Sequence, residues 1–176
     1  MQLNIARENT DETRELRGLF EKQLKELYWA EGVMTDMLKG VILQSFSKDL
    51  TMVLQDHLAE TYGHIARLET IFKAIGIDTE PLAYKAVKCL AEEAEDFIAT
   101  TRQGVVRDAG LIALLQKIKH YEIACYGTMR AYAIALREEE VVVLLEETLQ
   151  EEKVTDLLLS SIAESHINTE AADKEI

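Results

Sequence analysis

Proline and tryptophan each occur once in the 176 residues, glycine eight times, and aromatic residues make up 6% of the chain. With so few breakers and few β-branched alternations there is little punctuation for sheets. Cysteine occurs twice, at Cys89 and Cys125, too far apart for a CxxC pair, and no set of four exists to hold an iron–sulfur centre. Both are expected as reduced core residues. No apolar run approaches the ~18 residues that a membrane span needs, and no basic-plus-apolar leader opens the chain. The expectation is a cytoplasmic protein with no membrane association. Basic residues number 19 against 32 acidic ones, and the net charge of -13 argues against nucleic acid as a partner because the surface would repel phosphate. The same charge is compatible with attracting cations. Nucleophile elbows, phosphate loops and zinc–cysteine spacings are also missing, so hydrolase and kinase chemistries have no positive support.

Ala, Leu, Glu and Lys abound instead, and 48% of residues are hydrophobic, which predicts one all-α domain with a real core. Hydrophobic spacing predicts a first helix from about Glu12 to Lys39, stopped by Gly40. A second runs from a Ser47 cap to Ile75, where Gly76 ends it. A third, Leu82 to Thr101, starts behind Pro81 and reads as a short crossover. The fourth is capped by Asp108 and reaches about Leu136, and the fifth spans Glu139 to about Ser165. The expected organisation is a flexible start over 1–11, a bundle of two helical hairpins over 12–165, and a loose tail over 166–176.

Two of these helices carry an acid inside an apolar stripe. Leu111, Leu115, Ile118, Glu122, Cys125 and Met129 fall on one face, as do Leu24, Leu27, Glu31, Met34 and Leu38. Glu122 follows Glu31 by 91 residues, and Glu151 follows Glu60 by the same interval, each of the latter pair centred in its own helix. A buried carboxylate demands a charged partner, and these stripes offer no lysines or arginines for all four. One glutamate from each of four helices is the arrangement by which ferritin-like bundles hold two metal ions. Oxygen donors suit iron first and manganese second.

The segments LYWAE (Leu27 to Glu31), HLAET (His57 to Thr61), RDAGLIA from Arg107, KHYEIACYGTMRA (Lys119 to Ala131) and LEETLQEEKVTD (Leu145 to Asp156) resemble the YciF/YciE family of bacterial stress proteins. The resemblance covers Leu16 to Ala163. It implies a ferritin-like, rubrerythrin-like helical bundle, often a homodimer, associated with bacterial stress responses; the four glutamates are what point to a di-iron or di-manganese centre in it. By position, Glu31 and Glu122 resemble the terminal carboxylates of such a centre, and Glu60 and Glu151 the bridging ones. The usual Glu-x-x-His is missing, because Gly63 and Val154 stand three residues after Glu60 and Glu151. His57, one turn before Glu60, is the candidate nitrogen ligand or its supporting partner. His64 is expected at the surface, and His120 points away from Glu122. Tyr28 and Tyr121, each beside an inward glutamate, and Trp29 are candidate donors to the site or ordinary packing. The four-glutamate set points to metal-linked oxidation or peroxide and iron handling under stress; the alternative is a non-catalytic helical stress protein acting through association, with structural or no metal.

Overall fold

The structure, a computed structural model, describes residues 15–173, so the expected N-terminal segment and the first residues of the predicted 12–39 helix lie outside the described residues. Five helices form the body: α1 (Leu16–Gln44), α2 (Lys48–Ile75), α3 (Lys85–Thr100), α4 (Val105–Ala135) and α5 (Glu139–Ile162). A π-helical turn, Ala163–Ile167, leads into α6 (Asn168–Asp173). The four long helices close a ring in which α1 packs on α2, α2 on α5, α5 on α4 and α4 on α1, with α3 lying against α1 and α4. This is the expected all-α bundle of two hairpins joined through a shorter helix.

Each long helix buries a seam of residues that alternate three and four apart. It runs Phe20, Leu24, Leu27, Glu31, Met34, Leu38, Val41 in α1 and Leu50, Leu54, His57, Thr61, His64, Leu68, Ile71 in α2. In α4 it runs Ile112, Leu115, Lys119, Glu122, Tyr126, Met129, Ala133, and in α5 Val141, Leu145, Thr148, Glu152, Thr155, Leu159. Spacing of this kind keeps one stripe facing the neighbours along the whole helix, as in coiled coils and four-helix bundles. The apolar members form two separate clusters. One gathers Met34, Leu38, Leu50, Leu54, Leu111, Leu115 and Leu159, and the other Phe20, Leu24, Leu68, Ile71, Met129 and Leu145. Polar seam residues separate them.

Several predicted boundaries shift for local reasons. Gly40 does not stop α1, because Val41 is buried and carries the seam another turn, to a Ser45 whose N–H bonds the Val41 carbonyl at 2.9 Å. Gly76 does end α2, at φ 72°, where a side chain would be strained. Pro81 is not in a helix: the Leu82 N–H bonds the Lys25 carbonyl of α1 at 3.1 Å, and α3 begins only at Lys85. Beyond Ser165 the chain stays helical to Asp173, anchored by a fully buried Ile167.

Asp108 caps a helix, though not its own. It lies buried in the first turn of α4, and its carboxylate accepts the Phe46 and Ser47 N–H groups at 2.9 and 2.6 Å, at the start of α2. The Ser47 side chain makes no capping bond. Next to it, Arg107 donates to Gln44 Oε1 at 2.7 Å and to the Thr101 carbonyl. Arg107 and Asp108 thus join the α1–α2 corner to the start of α4. Gly110 is needed nearby, because a Cβ there would lie 2.0 Å from the Phe97 ring of α3.

Candidate metal centre

Between the two apolar clusters all four seams turn polar at one level. α1 supplies Glu31, α2 His57, Thr61 and His64, α4 Lys119 and Glu122, and α5 Thr148, Glu152 and Thr155, every one of them buried. Glu31, His64 and Glu152 are 0% exposed. Side chains from four helices meet here because one residue per seam position projects inward at each level of a bundle.

One group within this layer consists of Glu31, His64 and Glu152, whose donor atoms all lie within 4.8 Å of one another. His64 Nδ1 is 3.6 Å from Glu31 Oε2 and 3.3 Å from Glu152 Oε1, and none of these three atoms has a hydrogen-bond partner. The other face of the imidazole is occupied. His64 Nε2 lies 3.0 Å from Glu151 Oε2, and Arg67 holds that carboxylate with bonds of 2.5 and 2.7 Å. With Nε2 turned to Glu151, Nδ1 faces Glu31 and Glu152. Tyr126 donates its hydroxyl to Glu31 Oε1 at 2.5 Å, fixing the remaining oxygen of that carboxylate.

A second group, His57, Glu122 and Glu152, shares Glu152 with the first and surrounds the Lys119 ammonium. Lys119 Nζ lies 2.5 Å from each of His57 Nε2, Glu152 Oε2 and Glu122 Oε2, the last as an ion pair outside hydrogen-bonding alignment. Glu152 therefore links the two groups, Oε2 toward the ammonium and Oε1 toward His64.

The electrostatics follow from how much negative charge is enclosed. Burial and the nearby Lys119 charge push His57 well below its usual range, so it is neutral and accepts from the ammonium. Burial opposes a charge on His64, but Glu31, Glu152 and Glu122 overcome it and raise its pKa to about 9. At 3.6 Å the Glu31 effect is charge attraction rather than a hydrogen bond. Burial and the Glu122 charge lift Glu152 to about 8 despite Lys119. Burial disfavours the charge on Lys119 too, yet Glu122 and Glu152 hold it above the ordinary lysine range. The cations that face the three buried carboxylates are therefore Lys119 and His64.

Of the residues singled out from the sequence, Glu31, Glu122 and His57 lie in this buried layer. Glu60 and Glu151 lie at its rim, 37% and 28% exposed, with Glu60 accepting from Thr155 and Glu151 held by Arg67. Glu152 takes the inward place in α5. His64, expected at the surface, is fully buried, while His120 is exposed as anticipated. The seam explains the register: Thr61 and His64 are the inward pair in α2, and Glu152 and Thr155 in α5. The 91-residue interval holds for both, one residue later than read from the sequence. Each helix retains half of a Glu-x-x-His, the histidine in α2 and the glutamate in α5. Lys119 and Tyr126 are not among the residues expected from the sequence: Glu122, Met129 and Ala133 admit Tyr126 at three–four spacing, but between Leu115 and Glu122 that spacing admits Ile118 as readily as Lys119, and both are buried.

The aromatic candidates belong elsewhere. Tyr28 donates to Glu69 at an exposed position, and Tyr121 stacks on Tyr84 with centroids 6.1 Å apart. Cys125 is half-buried beside the seam, and Cys89, expected in the core, is exposed on α3. No helix among the described residues is long and apolar enough to cross a membrane.

Comparison with known proteins places this architecture. Protein YciF of Escherichia coli K12 is 36% identical over 164 residues, covering 90% of this chain and 96% of its own length. The crystal structure of the E. coli stress protein YciF superimposes with a TM-score of 0.85 at 34% identity, over 89% of this chain and 99% of that one. A Rhodopseudomonas palustris protein described as a candidate structural protein gives 0.84 at 32% identity, over 86% and 97%. A Xanthomonas campestris protein at 20% identity, TM-score 0.69 over 92% and 99%, shares the fold. The family described as a domain of unknown function, DUF892, matches residues 15–172, and the chain belongs to that family of YciF-like proteins.

Proposed function

We propose that this chain is a ferritin-like stress protein that binds a divalent metal ion, iron first and manganese second, between Glu31, His64 and Glu152. The observation that carries the reading is the convergence of three buried donor atoms, none with a hydrogen-bond partner. Leaving such an atom unsatisfied costs about 1–3 kcal/mol and more when it is charged, and one cation between the three removes that cost at each. Two carboxylate oxygens and an imidazole nitrogen suit Fe and Mn. The Glu151 carboxylate on the far nitrogen of His64 is the support that metal-binding imidazoles use to fix their tautomer, and Arg67 holds that support in place. A bound ion of this kind supplies redox chemistry toward peroxide or dioxygen; the protein's part is to hold it between two apolar clusters, with Tyr126 steadying Glu31. A reducing cytoplasm fits the unpaired Cys89 and Cys125. Elemental analysis of protein produced with iron and manganese available tests the reading. A His64→Ala, Glu31→Ala variant is expected to lose the ion; full retention of metal would overturn it.

A second reading, association as a homodimer with the ion structural or absent, is favoured by the outward row Val143, Val154, Leu157 and Leu158 on α5, between 46% and 67% exposed. Light scattering on a Val154→Glu, Leu157→Glu variant tests it: a monomer where the wild type is a dimer supports association through α5, and an unchanged mass removes that surface.

A further inference from the structure

The residues of the second group bear on how many ions the layer can take. In a complete dinuclear centre of this architecture each of two helices supplies a Glu-x-x-His, giving each ion its own imidazole and two shared carboxylates. Here the corresponding pairs are Thr61 with His64 and Glu152 with Thr155, so one shared carboxylate and one imidazole are replaced by threonines. Neither threonine is turned toward a cation: Thr61 donates to the His57 carbonyl at 2.9 Å and Thr155 to Glu60 at 3.2 Å. The position that has lost its imidazole is the one beside Glu122, and it is there that the Lys119 ammonium sits, 2.5 Å from Glu122, Glu152 and His57.

We propose that Lys119 is a tethered cation standing in for the second metal ion, so that this chain binds a single ion, at Glu31, His64 and Glu152, with Glu152 bridging between metal and ammonium. The inference rests on the metal-binding reading above. Two physical arguments support it. Coordination bonds to oxygen and nitrogen are ~2.0–2.2 Å long, so an ion among His57, Glu122 and Glu152 would overlap the ammonium already in contact with all three. Charge leads to the same count. Three buried carboxylates are cancelled by one ammonium and one divalent ion, whereas a second divalent ion would leave two surplus positive charges between apolar clusters. Lysine in place of an ion also makes this half of the layer independent of metal supply, since Glu122 and Glu152 remain paired at all times.

The test is Mn2+ binding to the full chain, measured as bound manganese per chain and as the electron paramagnetic resonance spectrum. The wild type is expected to hold one Mn2+ with the hyperfine sextet of an isolated ion. Lys119→Met, similar in length but uncharged, is expected to double the stoichiometry and to show the exchange-coupled signal of a manganese pair. Lys119→Arg, which keeps the charge, stays at one. If the methionine variant does not fold, Lys119→Gln, which can still donate to Glu152, takes its place. Two coupled ions in the wild type, or a single ion in both wild type and uncharged variant, would overturn the role of Lys119 while leaving the metal-binding reading intact. No manganese in any of these proteins, with the fold intact by circular dichroism, would instead remove the metal-binding reading itself.

Discussion

Replacing Glu152 by glutamine, beside the same change at Glu151, separates the register seen in the structure from the one read out of the sequence. Glu152 is fully buried, with Oε1 3.3 Å from His64 Nδ1 and Oε2 2.5 Å from Lys119. Glutamine keeps the shape and removes one negative charge. Two unit charges ~4 Å apart at an effective dielectric constant of ~20 interact by about 4 kcal/mol, and the ion is divalent, so the loss should be at least about three decades in metal affinity. Glu151 is 28% exposed and reaches the centre only through the far nitrogen of His64. A glutamine oxygen can still accept from that nitrogen, so the loss should stay within the ~10–100-fold typical of a supporting partner. Affinity for Co2+, read from its visible bands in competition with a chelator of known strength, measures both. Equal losses, or a larger loss at Glu151, would refute the placement of Glu152 at the centre, provided circular dichroism shows both variants folded.

Three further outcomes are expected. Asp108→Ala strips two charge-assisted bonds from the start of α2 and should cost about 3 kcal/mol, lowering Tm by roughly 6–12 °C, whereas Ser47→Ala should change denaturant stability by less than ~0.5 kcal/mol. Gly110→Ala drives a methyl group into Phe97 and should cost about 1–3 kcal/mol in urea unfolding; a Gly110→Ala, Phe97→Leu double variant should lose less than the two single changes together. Chelation of the metal-loaded protein should lower Tm by roughly 5–11 °C if the free ion stood at ~100 times its Kd, because an ion bound only by the folded state adds about 2.7 kcal/mol. No change in Tm on chelation would mean that the ion does not reside in the folded core.

Composition and spacing alone determine an all-α chain of two long hairpins and a shorter linking helix, because helix propensity and the turns near Ser47, Gly76 and Glu138 are local properties. They also mark Glu31, an acid between Leu27 and Met34, and Glu122, an acid between Ile118 and Cys125, at helical spacing. The other half of the centre depends on register. A step of one residue turns a side chain by ~100° about the helix axis, and in α2 and α5 apolar residues such as Val53, Leu58 and Leu144 flank the true seam closely enough to make two neighbouring stripes plausible. α4 is harder still: it packs against α1, α3, α5 and α6, so Ile118 and Lys119 are both buried and no single stripe stands out. A lysine among apolar residues reads as surface from its own helix. Only tertiary structure brings Lys119 of α4 to His57 of α2 and Glu152 of α5, because a buried ammonium is stable only where distant helices deliver the carboxylates that neutralise it.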